Sequence, residues 1–239
     1  MGKSKDEGRD YSCSKMRKLL YLPMIHTSAD LGSVAAELDR RGVKICGEER
    51  WGKHKETIDG FWGVVSEYAD SLDAGNLKIY QDGLMADGEM GMRIVEESAK
   101  KGSRNYKIVL KLVERGAKII KTEDVSLLKK EFNYVVGMTR EKSPIKRFIT
   151  ALKYRMKKKK LLQDRDRFIA KTIDETLNDG EVGILFLGAY HNILDKLPED
   201  IVVEQVKDRS KVEEYQKLLP YRRTGARFKE LAEYIVSPI

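Results

Sequence analysis

Long apolar runs are missing from this chain of 239 residues. No stretch approaches the roughly eighteen consecutive apolar residues of a bilayer-spanning helix. The opening MGKSKDEGRDYSCSK lacks the apolar centre of a signal peptide. Asp6 stands where the myristoylation pattern calls for Ser or Thr. The expectation is a cytoplasmic protein with no membrane partner. Cysteine is nearly absent as well. Cys13 and Cys46 give neither a disulfide framework nor a zinc-binding spacing, and read as thiols in a reducing compartment. Catalytic signatures are lacking too: there is no HExxH, no GxSxG elbow and no GxxxxGK[ST] loop. These absences argue against a serine hydrolase and a P-loop nucleotidase, and leave any metal site without a local ligand spacing. No repeat of solenoid period is found.

Apolar residues at 41% and charged residues at 35% give a soluble composition with enough apolar material for a core. Residues 1–16 are too polar to pack and read as a flexible tail. Residues 17–239 read as a single α/β domain. Short apolar runs at 19–25, 77–80, 117–121, 182–187 and 201–206 read as strands. Helical periodicity marks 31–41, closed by Gly42, then 56–71, 89–101, 104–115 and 125–134. Another helix starts at Ser143-Pro144 and runs into a lysine cluster, and another covers 161–177, closed by Gly180. Two more lie near 212–219 and 227–236. Residues 43–55 read as a loop, and His54 within it carries no assigned role. Strands alternating with helices specify a largely parallel central sheet with helices on both faces. Helices outnumber strands before the fourth strand, so 125–160 reads as a helical insertion or lid.

Ligands of open α/β sheets bind beyond the carboxyl ends of the strands. Those ends are therefore where chemistry is expected. The chain has only three histidines, and His26 and His191 each follow a predicted strand. Asp82 follows the second strand. Glu123 follows the third, where Asp124 reads instead as the cap of the next helix. Arg165 and Arg167 sit on the helix before the fourth strand. Two imidazoles and one or two carboxylates suit either of two chemistries. His26, Glu123 and His191 are candidate ligands of a divalent transition metal that activates water. The same set without metal supplies a general base and acid, with Arg165 or Arg167 holding substrate or an oxyanion.

The stretch RDRFIAKTIDETLNDGEVGILFLGAYH, followed by IVVEQV, resembles the superfamily that contains the Tiki and TraB proteins, the ChaN-like haem-binding lipoproteins and the erythromycin esterases. The matching features are a first strand ending in His26, Glu123 at a later strand end, Arg165-Asp166 on a helix, and the G-x-x-H turn Gly188-Ala189-Tyr190-His191. The likeness is best over 161–191, thinner at 19–26 and slight between. Gln81-Asp82 stands where the family often has a glutamate. The resemblance implies the α/β fold and a histidine/carboxylate site in a hydrolase, either metal-dependent or using histidine-activated water. It equally admits a non-catalytic haem or small-ligand binder, with Tyr190 the candidate haem ligand. The expected partner is a small-molecule or peptide substrate.

The net charge of +8 and pI of about 9.2 raise a nucleic-acid partner. Much of the excess lies in one run, Lys153-Tyr154-Arg155-Met156-Lys157-Lys158-Lys159-Lys160. No base-reading motif accompanies it. The run reads as a solvated helix face whose contact with nucleic acid would be weak, sequence-independent and salt-sensitive.

Overall fold

Five apolar runs pair side by side in the computed structural model, which describes residues 16–27, 35–140, 143–221 and 224–239. They are β1 (Arg17–Met24), β2 (Leu77–Gln81), β3 (Lys118–Ile120), β4 (Val182–Gly188) and β5 (Ile201–Gln205). Every pairing is parallel, in the order β3-β2-β4-β1-β5. β1 and β4 lie inside the sheet and are covered on both faces. That is why their sequences are nearly unbroken apolar runs rather than alternating ones.

Eight helices are described: α1 (Ala35–Cys46), α2 (Glu48–Ser71), α3 (Gly88–Lys100), α4 (Arg104–Glu114), α5 (Val125–Arg140), α6 (Pro144–Thr176), α7 (Arg209–Leu218) and α8 (Gly225–Val236). One face of the sheet packs on α6, whose Ile169, Ile173 and Leu177 meet Leu19, Tyr21, Tyr80, Leu185 and Leu187. The other packs on α2, α4, α7 and α8, where Phe61, Trp62, Val109, Val212 and Phe228 join a core with Leu20, Leu22, Ile79 and Phe186. Each such side chain contributes about 1.5–3 kcal/mol by leaving water. The fold is therefore α/β, with a parallel sheet and helices on both faces.

Several element boundaries differ from expectation. The tail at 1–15, with Cys13, and the start of the first helix at 31–34 lie outside the described residues. Gly42 does not close α1, which continues to Cys46. A Cβ at Gly42 would come within 2.5 Å of the Trp51 indole, so this glycine serves the close approach of two helices. The break comes at Gly47, whose φ of 86° favours glycine. Residues 48–55 are accordingly helix, the start of α2, and not loop. The expected insertion at 125–160 forms α5 and the first half of α6. That helix passes through the lysine run without a break and on to Thr176.

Candidate functional site

β1 and β4 are neighbours, yet their chains leave in opposite directions. The chain from β1 crosses β4 to reach β2; the chain from β4 crosses β1 to reach β5. Where neighbouring strands send their chains in opposite directions, the region beyond their ends is the usual ligand position in this architecture. Met24 and Gly188 pair there as the last residues of the two strands. His26 and His191 follow them.

Three side chains converge on the bare α-carbon of Gly188. A Cβ placed on it would sit 3.6 Å from Asp82 Oδ2, 3.7 Å from His191 Cδ2 and 3.9 Å from His26 Nε2. His26 is exposed, whereas His191 is buried. His191 is held by Asp166: its Nδ1 lies 2.6 Å from Asp166 Oδ1, while Asp166 Oδ2 accepts from the Asn192 backbone N–H at 3.1 Å. A carboxylate accepts only, so Nδ1 carries the hydrogen and Nε2 is left as the basic nitrogen. Nε2 faces Asp82 Oδ2 at 3.9 Å, beyond direct hydrogen bonding. The backbone N–H of Gly188 donates to the same Asp82 oxygen at 3.4 Å.

Behind Asp82 lies Arg165. Its Nη2 donates to Asp82 Oδ1 at 2.8 Å and to Glu123 Oε1. Its Nε donates to Glu123 Oε2 at 3.2 Å and its Nη1 to Glu131 Oε2 at 3.0 Å. The loops are fixed from below, since the backbone N–H groups of Thr122 and Glu123 both donate to the Leu84 carbonyl. Three carboxylates around one guanidinium leave an excess of negative charge. Burial, with Asp82 adding to it, pushes the Glu123 carboxyl up to about 7 despite Arg165. Burial would also raise Asp82, but the neighbouring His191, Arg165 and His26 outweigh it and hold the carboxyl below its usual range. For Arg165, burial works against the charge and the carboxylates overcome it, so the guanidinium stays charged.

The structure thus brings together His26, Asp82, Glu123, Arg165 and His191. Arg167 is outside the group: it is exposed and pairs with Asp164 at 3.1 Å. Tyr190 is also apart. It is 52% exposed, and the charges it feels are Lys217 and Glu213 of α7. Arg165, one of the two candidates for holding substrate or an oxyanion, is engaged by three carboxylates, Asp82, Glu123 and Glu131. His26, Glu123 and His191 do not form a ligand set, because Glu123 is wholly buried against Arg165. Among the described residues no three His, Cys, Asp or Glu side chains group as a metal would need. The guanidinium occupies the position among the carboxylates that a cation would take. His54, the remaining histidine, is core: its Nδ1 lies 2.9 Å from the Tyr215 hydroxyl, and burial lowers its pKa to about 4.

Two participants received no role from the sequence, although Asp166 was named in the Arg165-Asp166 motif. Glu131 reaches in from α5, across a separation that no local motif records. Asp166 was detectable: Arg165, Asp166, Ile169, Ala170 and Ile173 are all buried on α6, so both polar residues extend the stripe that faces the sheet. The chain matches no protein-family model, no curated protein and no solved structure.

Proposed function

We propose that this chain is a hydrolase that activates water with His191, without a metal in the step. The observation that carries the reading is the Asp166–His191 pair at 2.6 Å, with Nε2 turned toward Asp82 and the space above Gly188. Asp166 fixes the tautomer and stabilises the imidazolium that forms when Nε2 takes a proton from water. Asp82 lies at 3.9 Å from Nε2, a span one water bridges. Arg165 keeps Asp82 ionised and in place. His26, exposed at the mouth, is placed to donate to the substrate's carbonyl oxygen or leaving group. The likeness to the Tiki, TraB and erythromycin esterase superfamily points to the same reaction class, and within it this donor set favours histidine-activated water over metal.

The reading is tested with p-nitrophenyl esters and lactones. Wild type should hydrolyse at least one class, and His191→Ala should lower kcat by on the order of 10²–10⁴. Asp166→Asn should lower kcat with little change in KM. Gly188→Ala adds a methyl at ordinary contact distances from Asp82, His191 and His26, so it should fold and lose activity. Full activity in His191→Ala would sink the proposal.

A further inference from the structure

Across the same strand ends, on the face away from α6, the polar groups are neutral. Gln81, Asn105 and Gln216 meet at Met24. Asn105 Nδ2 donates to Met24 Sδ at 3.1 Å. Gln81 Nε2 donates to the Asp82 carbonyl at 3.1 Å and lies 3.9 Å from the same sulfur. Gln216 Nε2 donates to the Met24 carbonyl at 3.3 Å. Thioethers and carbonyls accept but do not donate. Each carboxamide must therefore turn its NH₂ to that partner and its oxygen elsewhere.

The three oxygens turned away are buried and have no hydrogen-bond partner among the described residues. They are three of the five buried side-chain polar atoms in that condition. Gln81 and Asn105 are only 1% and 2% exposed. Buried polar groups are nearly always paired. Three such acceptors, without donors among the described residues and on amides grouped at one residue, mark a place shaped for a group that donates.

We propose that this carboxamide cluster is the specificity subsite of the hydrolase site and takes a neutral, hydrogen-bond-donating group of the substrate, a hydroxyl or an amide N–H. The assignment rests on the hydrolase reading and deepens it. Three unpaired carbonyl oxygens, with the Asp82 carboxylate next in sequence to Gln81, reject an anionic group. Met24 is the wall that yields: its side chain is unbranched, and a thioether is a weak acceptor whose contacts are easily exchanged. Met24 also pairs with Gly188 in the sheet register, so one substrate lying across the two strand ends reaches His191 and the carboxamides together.

Two measurements on the full chain separate this proposal from the hydrolase reading. In the first, side-chain carboxamide signals in ¹H–¹⁵N spectra are followed while glycerol, acetamide or acetate is added. Glycerol or acetamide should shift the Gln81, Asn105 and Gln216 signals, acetate should not, and Asn105→Leu should abolish the response of the other two. In the second, kcat/KM is compared for p-nitrophenyl butyrate and its 4-hydroxy, 4-acetamido and 4-carboxy counterparts. A donor-bearing ester should be preferred by about tenfold in wild type, as one hydrogen bond implies. Gln81→Met or Asn105→Leu should bring that ratio toward one. The hydroxy and acetamido arms tell which donor is taken. Carboxamide signals that ignore every fragment, or that respond to acetate most, overturn the subsite even if esters are hydrolysed. A response to donors without hydrolysis of any ester supports the subsite and overturns the hydrolase reading.

Discussion

The two faces of the sheet end solve the burial of polar groups in opposite ways. On the α6 side, Asp82, Glu123, Arg165, Asp166 and His191 are charged or chargeable, and each is paired. On the other side, Gln81, Asn105 and Gln216 are neutral, and each leaves an oxygen unpaired among the described residues. An unpaired charge inside a protein is far more costly than an unpaired amide. The charged half must therefore be complete by itself, and the fold supplies its own cation, Arg165. Only the neutral half can remain open, so the two halves suit different tasks: holding chemistry in position and receiving a ligand.

Removing the cation breaks this contrast most strongly. Arg165→Met strands Asp82 and Glu123, and breaking such a buried cluster should cost about 3–5 kcal/mol in urea unfolding. The loss should shrink as the pH falls, because protonation relieves both carboxyls. In the wild type, Glu123 has a folded pKa above its unfolded value. Its contribution is complete below about 4.5 and declines as pH rises through about 7. Glu123→Gln should flatten that slope in a pH series of urea midpoints.

A smaller effect of opposite sign is expected on the neutral side. Asn105→Leu replaces an orphaned carbonyl with an apolar side chain of similar size. It should leave the protein equally stable or raise stability by about 1 kcal/mol. Thermal unfolding distinguishes this from a structural amide, whose loss would lower the melting temperature. The smallest effect concerns the lysine run. Neutralising Lys157 to Lys160, all exposed on α6, should change stability by less than about 0.5 kcal/mol. It should also leave ester hydrolysis intact. Oligonucleotide binding by wild type should vanish by physiological salt in a titration.

The sequence disclosed the charged half better than the neutral one, for a physical reason. An interior parallel strand is a continuous apolar run, so its end is abrupt and the next polar residue is conspicuous. His26, Asp82, Glu123 and His191 stand at such ends. Strand order is not written in periodicity, so the divergence of β1 and β4 became visible only in the fold. Gln81, Asn105 and Gln216 lie on a strand and two separate helices, with no shared spacing. A lone amide in a polar sequence resembles any surface residue. Residues 43–55 resemble a loop in sequence because Gly47 and Gly52 stand among charges. In the structure only Gly47 interrupts the helices, and Trp51 and His54, both on α2, reach α1 and α7.

The continuity of α6 constrains how its length can vary. At about 1.5 Å per residue, its 33 residues form a rod of roughly 50 Å. Arg165 and Asp166 owe their direction to the stripe that Ile169 and Ile173 anchor on the sheet. Deleting one residue between Asp166 and Ile169 would swing both side chains by about 100° and empty the site of its cation and its histidine partner at once. Removing seven residues from the lysine-rich half would shorten the rod yet barely turn what remains relative to α5. Related chains should therefore differ in length before residue 161 in steps near seven, and hardly at all between 165 and 177.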